Sequence, residues 1–187
     1  MDSIVSLYTT TNGRISRKQW WLGALGLVVA SIVLSLVLSL LGFSAWGAMG
    51  LNLDPATADA ATISAALTEV MRRGAWAGLI MFLIMAYPSY CLSVKRRHDR
   101  DNSGVDLLVY MVLNALVLLL QALGFGMDTV DGGNGVFLPT PAVWLSTVSI
   151  AMGIFGIYLI VMLGFLRGTI GSNSYGPDPV PGMAAAS

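Results

Sequence analysis

"AWAGLIMFLIMAYPSYCLSVKRRHDRDNSGVDLLVYMVLNALVLLLQALGFG", residues 75–126, sets two apolar runs, Ala75–Val94 and Val105–Gly126, on either side of a polar joint. The ten residues of the joint, Lys95–Gly104, hold six of the chain's twenty charged residues and its only histidine. A helix needs about 20 apolar residues to cross the hydrocarbon of a bilayer. Each run is long enough to do so, and the joint is then a short loop at one membrane surface.

Two further runs have the same character, "WLGALGLVVASIVLSLVLSLLGF" at Trp21–Phe43 and the stretch Ala142–Leu166. None of the four contains Lys, Arg or Glu, and the one acid, Asp106, sits at an edge. The first run is too long for the apolar core of a signal peptide, which takes about 7–15 residues. It also follows a polar segment of 20 residues, so it reads as a retained span. The expected fold is all-α: four transmembrane helices in a single membrane domain.

Composition agrees. The chain of 187 residues is 56% hydrophobic and 11% charged, with a mean hydropathy of +0.75. A water-soluble domain carries roughly a quarter charged residues, so something other than water must contact most of this surface. The formal net charge is zero, which removes the overall basic balance that nucleic-acid binding would need. One cysteine, Cys91, allows no internal disulfide and no cysteine-based metal cluster.

Bases in short loops set orientation. Arg14, Arg17 and Lys18 precede the first span, Lys95, Arg96, Arg97 and Arg100 join the second to the third, and Arg167 follows the fourth. The opposite side has Arg72 and Arg73 among five acids. Both termini are therefore expected in the cytoplasm. The segments run 1–20 (cytoplasmic), 21–43 (span), 44–74 (outer loop), 75–94 (span), 95–104 (cytoplasmic loop), 105–126 (span), 127–141 (outer loop), 142–166 (span) and 167–187 (cytoplasmic tail).

Local signals refine this outline. Ser16 is an N-cap candidate before "RKQWWLG", and Trp20 and Trp21 suit the headgroup level. Asp54-Pro55 reads as the start of a separate outer-loop helix, with Ile63, Leu67, Val70 and Met71 on one amphipathic face. "MDTVDGGNGVFLPTP" reads as a turn region, and Pro88 should kink or loosen the end of the second span. Ser31, Ser35 and Ser39 form a small-residue stripe expected to pack helices, with hydroxyls bonded back to their own helix. Asn114 is expected to hydrogen-bond a neighbouring helix. Nothing ionisable lies near a span centre, which argues against an ion-coupled carrier within one chain.

Three polar motifs meet on the cytoplasmic side: "GRISRKQWW" (13–21), "KRRHDRDNSG" (95–104) and "RGTIGSNSYGPDP" (167–179). On Gly13, Arg14, Ser16, Arg17 and Trp20 or Trp21, on Arg96, His98, Asp99, Ser103 and Gly104, and on Gly168, Gly171, Asn173, Tyr175, Gly176, Asp178 and Pro179, the chain resembles the YhaH-like bacterial inner-membrane proteins, domain of unknown function 805. It departs at Arg97, where that family usually has Leu, and at Val105-Asp106, which replace an aromatic pair. The resemblance implies a bacterial inner-membrane location and carries no activity with it.

His98 lacks the company a metal needs, and the surrounding bases repel a cation. Ser103 beside it in sequence supplies no triad geometry, "HDRDN" is not the kinase catalytic loop, and "GTIGSN" lacks the Lys-Ser/Thr ending of a phosphate loop. Two readings of Arg14, Arg17, Arg96, His98, Asp99, Asn173, Tyr175 and Asp178 stand. In one, Asp99 and Asp178 pair with Arg14, Arg17 or Arg96, and the motifs clamp helix ends. In the other, the bases form a site for an anionic lipid headgroup or a small anion. The expected protein is a non-enzymatic integral membrane protein without cofactor or metal. Its expected partners are anionic lipids, with a second copy or another membrane protein also open. An oligomeric channel lined by the serine stripe is the alternative, and a lipid-modifying enzyme the third reading.

Overall fold

The computed structural model describes residues 4–41 and 59–180. The chain is mostly helical. A short helix α1 (Ile4–Thr9) precedes α2 (Arg17–Leu40), α3 (Ala60–His98) and α4 (Val105–Ala122). An antiparallel hairpin of β1 (Met127–Asp131) and β2 (Phe137–Pro141) leads into α5 (Val143–Ile160), which ends in a π-helical turn, Val161–Phe165. Among the described residues, four helices are long and apolar enough to cross a membrane: α2, α3, α4 and α5 with its π-turn. Their large side chains face outward, with Leu25 60%, Leu116 51% and Ile154 64% exposed. Helices this apolar on their outer faces need a hydrocarbon solvent.

The α2 N-terminus follows its sequence signal. Ser16 Oγ accepts from the Gln19 amide at 3.3 Å, and Gln19 Oε1 accepts from the Ser16 amide at 2.9 Å, a reciprocal capping box.

The structure differs from expectation in α3. Residues 60–73 do not form a separate helix but open one continuous helix of 39 residues, about 58 Å long at 1.5 Å per residue. Gly74 costs only about 1 kcal/mol against Ala in a helix. The turn before it is supported by Glu69 pairing with Arg72 and Arg73, three and four residues on. The helix also runs on past Pro88 to His98. Asp54-Pro55 lies outside the described residues, and the described cap is Asp59, whose carboxylate accepts from the Thr62 amide at 2.8 Å. The joint between the second and third spans is itself partly helical, since Lys95–His98 form the last turn of α3.

Two compact units make up the fold. The first takes in the described residues of Met1–Ala30, Ile84–Val112 and Met152–Ser187. Its core is Ile15, Trp20, Leu92, Val94, Leu107, Leu159 and Leu163. Here α1 lies on α2: the Tyr8 hydroxyl donates to the Gly23 carbonyl at 3.0 Å, and Leu7 and Tyr8 pack against the core. Lys95 reaches the Ser6 carbonyl from α3, and Tyr87 reaches that of Thr9 at 2.9 Å.

The second unit comprises the described residues of Ser31–Leu83 and Leu113–Ala151. It contains the hairpin, which the sequence showed only as a turn region. Gly133, Asn134 and Gly135 all take positive φ at its tip, and the Phe137 amide donates to Ser64 Oγ of α3 at 2.8 Å. Ser35 bonds back to the Ile32 carbonyl at 2.8 Å, as its stripe suggested. Asn114 differs: its side-chain amide has no hydrogen-bond partner among the described residues.

The glycines of the first unit predict stability. A Cβ at Gly23 would lie 2.6 Å from Cδ1 of the fully packed Leu92, whereas one at Gly153 meets nothing within 4 Å. Gly23→Leu should destabilise by about 1–3 kcal/mol, and Gly153→Ala should be neutral or slightly stabilising. Thermal unfolding in detergent checks the pair.

Candidate functional site

The three polar motifs converge in the first unit, and Asp99 is where they meet. Asp99 follows the last residue of α3, whose final turn carries Lys95, Arg96, Arg97 and His98, cations favoured at the negative end of the helix dipole. Asp101 adopts φ of +54°, the left-handed conformation that ends a helix. The Asn102 amide closes the turn by donating to the Arg97 carbonyl at 3.1 Å.

The Asp99 carboxylate is buried between two guanidiniums. Its Oδ1 accepts from Nε and Nη2 of Arg14 at 3.1 and 3.0 Å, and its Oδ2 accepts from Nη1 of Arg96. Arg14 and Arg96 are each 1% exposed at the side chain. Arg14 goes further. Its Nη1 donates to the Gly171 and Gly176 carbonyls at 2.6 and 3.1 Å, and its Nη2 to that of Thr169 at 2.7 Å. All five N–H donors of a guanidinium thus have acceptors inside the protein.

Arg96 works on the end of α5. Nε donates to the Leu163 carbonyl at 2.8 Å and Nη2 to that of Leu166. Arg17 donates to the Phe165 carbonyl at 3.2 Å, and Trp21 Nε1 to that of Gly164 at 3.1 Å. The π-turn widens the helix and releases carbonyls from the regular ladder, and four consecutive ones, at 163–166, are taken by side chains of α2 and α3. Gly164 allows this, because a Cβ there would strike the rings of Trp20 and Trp21.

The tail wraps the same carboxylate. Thr169 donates to the Asp99 carbonyl through its amide at 2.8 Å and its hydroxyl at 3.1 Å. Gly168 lies so close that a Cβ would run into the Asp99 side chain. Asn173 Nδ2 donates to the His98 carbonyl at 2.8 Å, and Asn173 pairs with Gly176 in a small antiparallel bridge. The Tyr175 ring stacks on the His98 imidazole, centroids 3.9 Å apart and planes 7° from parallel. His98 Nδ1 lies 3.3 Å from the Gly13 carbonyl, so its ring is engaged by both flanking motifs.

Of the eight candidate residues, Arg14, Arg96, His98, Asp99 and Asn173 form one hydrogen-bonded cluster, joined by Tyr175 through stacking. Arg17 stands exposed at its edge. Asp178 is held chiefly by backbone donors, with the charges of Arg14 and Arg167 acting on it more weakly. Its carboxylate accepts the amides of Val180 and Gly171, both at 2.9 Å, which hold it below the usual carboxylate range. The sequence reading missed Thr169 and the π-turn carbonyls. It also missed the Arg97–Asp106 pair, Nη2 to Oδ2 2.6 Å. Arg97 and Asp106 both lie where the chain departs from the family pattern, at Arg97 and at Val105-Asp106, and that coincidence was the available signal.

Beside the cluster, Ser16, Arg17, Arg167, Asp178, Pro179 and Val180 edge a shallow cleft of about 60 Å³ that reaches Asp99. Among the described residues, no three His, Cys, Asp or Glu side chains gather in a way that could hold a metal ion.

These observations define a protein with four membrane-length helices whose polar motifs are locked onto one buried aspartate. The chain belongs to the family described as Protein of unknown function (DUF805), which matches residues 8–177. Searches of the curated proteins and of the solved structures find no match.

Removing one partner of a buried, hydrogen-bonded ion pair costs about 3–5 kcal/mol. Arg14→Ala should destabilise by that order, and Arg14→Lys should not restore it, since an ammonium cannot supply five forked donors. Arg72→Ala, in an exposed pair, should cost at most about 1 kcal/mol. Chemical denaturation in detergent separates the three.

Asp178 gives a pH prediction. Its folded carboxyl titrates below the unfolded value, so its contribution is present above that value and is lost as pH falls through the folded one. The protection of the Gly171 and Val180 amides against hydrogen exchange, relative to their intrinsic rates, should therefore fall in acid. In Asp178→Asn the exchange should show no such step.

Proposed function

We propose that this is a non-enzymatic protein of the bacterial inner membrane, with both termini cytoplasmic, whose cytoplasmic face binds anionic phospholipid headgroups. The observation that carries this reading is a division of labour among the bases. Arg14 and Arg96 are consumed by the aspartate and by carbonyls, while Arg17, Lys18 and Arg167 are exposed on the same unit. The headgroup contact therefore belongs to the exposed three, and the buried pair holds them in place.

Charge placement supports the orientation. Arg14, Arg17, Lys18, Lys95, Arg96, Arg97, Arg100 and Arg167 belong to the first unit, and only Arg72 and Arg73 to the second. That is the asymmetry of a positive-inside protein. Each base near an anionic leaflet contributes about 1 kcal/mol, so three exposed bases give about 3 kcal/mol of attraction. The alternatives gain less. Ser35 of the serine stripe is bonded to its own helix rather than offered to a pore. His98, which a lipid-modifying enzyme would need, lies under Tyr175.

Native mass spectrometry of protein released from membranes in mild detergent tests this reading. Wild type should retain phosphatidylglycerol or another anionic phospholipid. Arg17→Ala/Lys18→Ala/Arg167→Ala should lose it while still folding, with the melting temperature lowered only by the loss of exposed contacts such as the Arg17 bond to the Phe165 carbonyl. Equal retention by both proteins would sink the proposal.

A further inference from the structure

The second unit contains a cavity of about 510 Å³, bordered by α3, the C-terminal end of α4, the hairpin and the start of α5. Ala75, Gly78, Leu118, Met127 and Leu145 give it mainly apolar walls. Its volume is that of a small-molecule site, about 300–1,000 Å³. Walls of this kind are satisfied by hydrocarbon and not by water, which needs two to four polar partners.

One edge of the cavity is polar and positive. Arg72 lines it. Glu69 accepts from Nε and Nη2 of Arg72 at 2.9 and 2.7 Å and from Nε of Arg73 at 2.7 Å. One carboxylate thus faces two guanidiniums, and the trio keeps one net positive charge. Nη1 of Arg72 has no acceptor among the described residues, and the side chains of Gln121 and Ser146, which also line the cavity, have no hydrogen-bond partner among them. Hydrocarbon-compatible walls and unpartnered polar groups at a cationic edge are what an amphiphile with a negative head requires.

We propose that this cavity binds one hydrocarbon chain of an anionic amphiphile. Its carboxylate or phosphate lies against Arg72, within reach of Gln121 and Ser146, and its tail runs along Ala75, Gly78 and Leu145. The head accepts from the donors of Arg72 that Glu69 leaves over. The tail covers the apolar walls. A free fatty acid and a chain of an anionic phospholipid share this chemistry. The site is independent of the headgroup contact proposed for the first unit and uses none of its residues.

The experiment is a displacement assay on the full chain in neutral detergent, with cis-parinaric acid as the fluorescent probe. Palmitate, dipalmitoyl-phosphatidylglycerol and hexadecanol are the competitors. A Cβ at Gly74, which lines the cavity, meets nothing within 4 Å, so Gly74→Phe has room to place its ring in the tail path. Wild type should bind the probe saturably, and Gly74→Phe should weaken it at least tenfold. Arg72→Gln should weaken palmitate about tenfold, the loss of one charge-assisted hydrogen bond, and leave hexadecanol unchanged. Stronger displacement by palmitate than by the phospholipid assigns the free acid, and the reverse assigns the lipid chain. Undiminished binding to Gly74→Phe, or palmitate and hexadecanol displacing wild type equally, overturns the proposal. Should Gly74→Phe fail to fold, the acid–alcohol comparison on Arg72→Gln still decides, because that residue sits in an exposed pair.

Discussion

A carboxylate buried among helix ends must be compensated, and Asp99 is compensated twice, by Arg14 and by Arg96. Bringing three charges out of water costs several kcal/mol for each ion. The cost is offset only if every donor and acceptor is matched. That requirement explains the rest of the first unit. The π-turn of α5 offers carbonyls to Arg96 and Arg17, the tail folds back to offer three more to Arg14, and Gly168 keeps the tail close enough to do so. The one positive charge left over in the triad is spread over carbonyl oxygens at the C-terminal end of α5, where the dipole favours it, and in the tail.

A membrane protein has little hydrophobic driving force between its spans, since lipid is as apolar as its own side chains. This chain follows that rule. Its spans carry exposed Leu, Ile and Val along much of their length, and helix contacts rely on small residues such as Gly23 under Leu92 and Gly26 under Tyr8. Specificity must then come from polar groups. The clamp supplies it where the helices end, outside the most apolar stretches.

Much of this was legible in the sequence. The four membrane-length helices followed from apolar length, and the Ser16 cap from its place before "RKQWWLG". That the three motifs belong together followed from the alternation of spans and loops, before any contact was known. Three things were not legible. The continuity of α3 through Gly74 and Pro88 depends on a sum of small local energies against a moderate breaker, and periodicity does not weigh them. The hairpin at 127–141 pairs two short strands, "MDTVD" and "FLPTP", that carry no clean alternation and two prolines. The bonding of Asp178 to the Gly171 and Val180 amides is a matter of tail geometry, and a list of opposite charges omits such backbone donors.

Arg14 also imposes an order on synthesis. It is made well before its acceptors, which lie 85 residues on at Asp99 and 155 to 162 residues on at Thr169, Gly171 and Gly176. Until the last span has been inserted and the tail released, three of its five donors can be met only by water, and the arginine must stay outside the bilayer. A chain broken off before Thr169 has all four spans and still lacks most of the acceptors that let this residue be buried. The lock at the helix ends therefore closes only after the residues through Gly176 have been made, because the first and last of its parts are held by the same guanidinium.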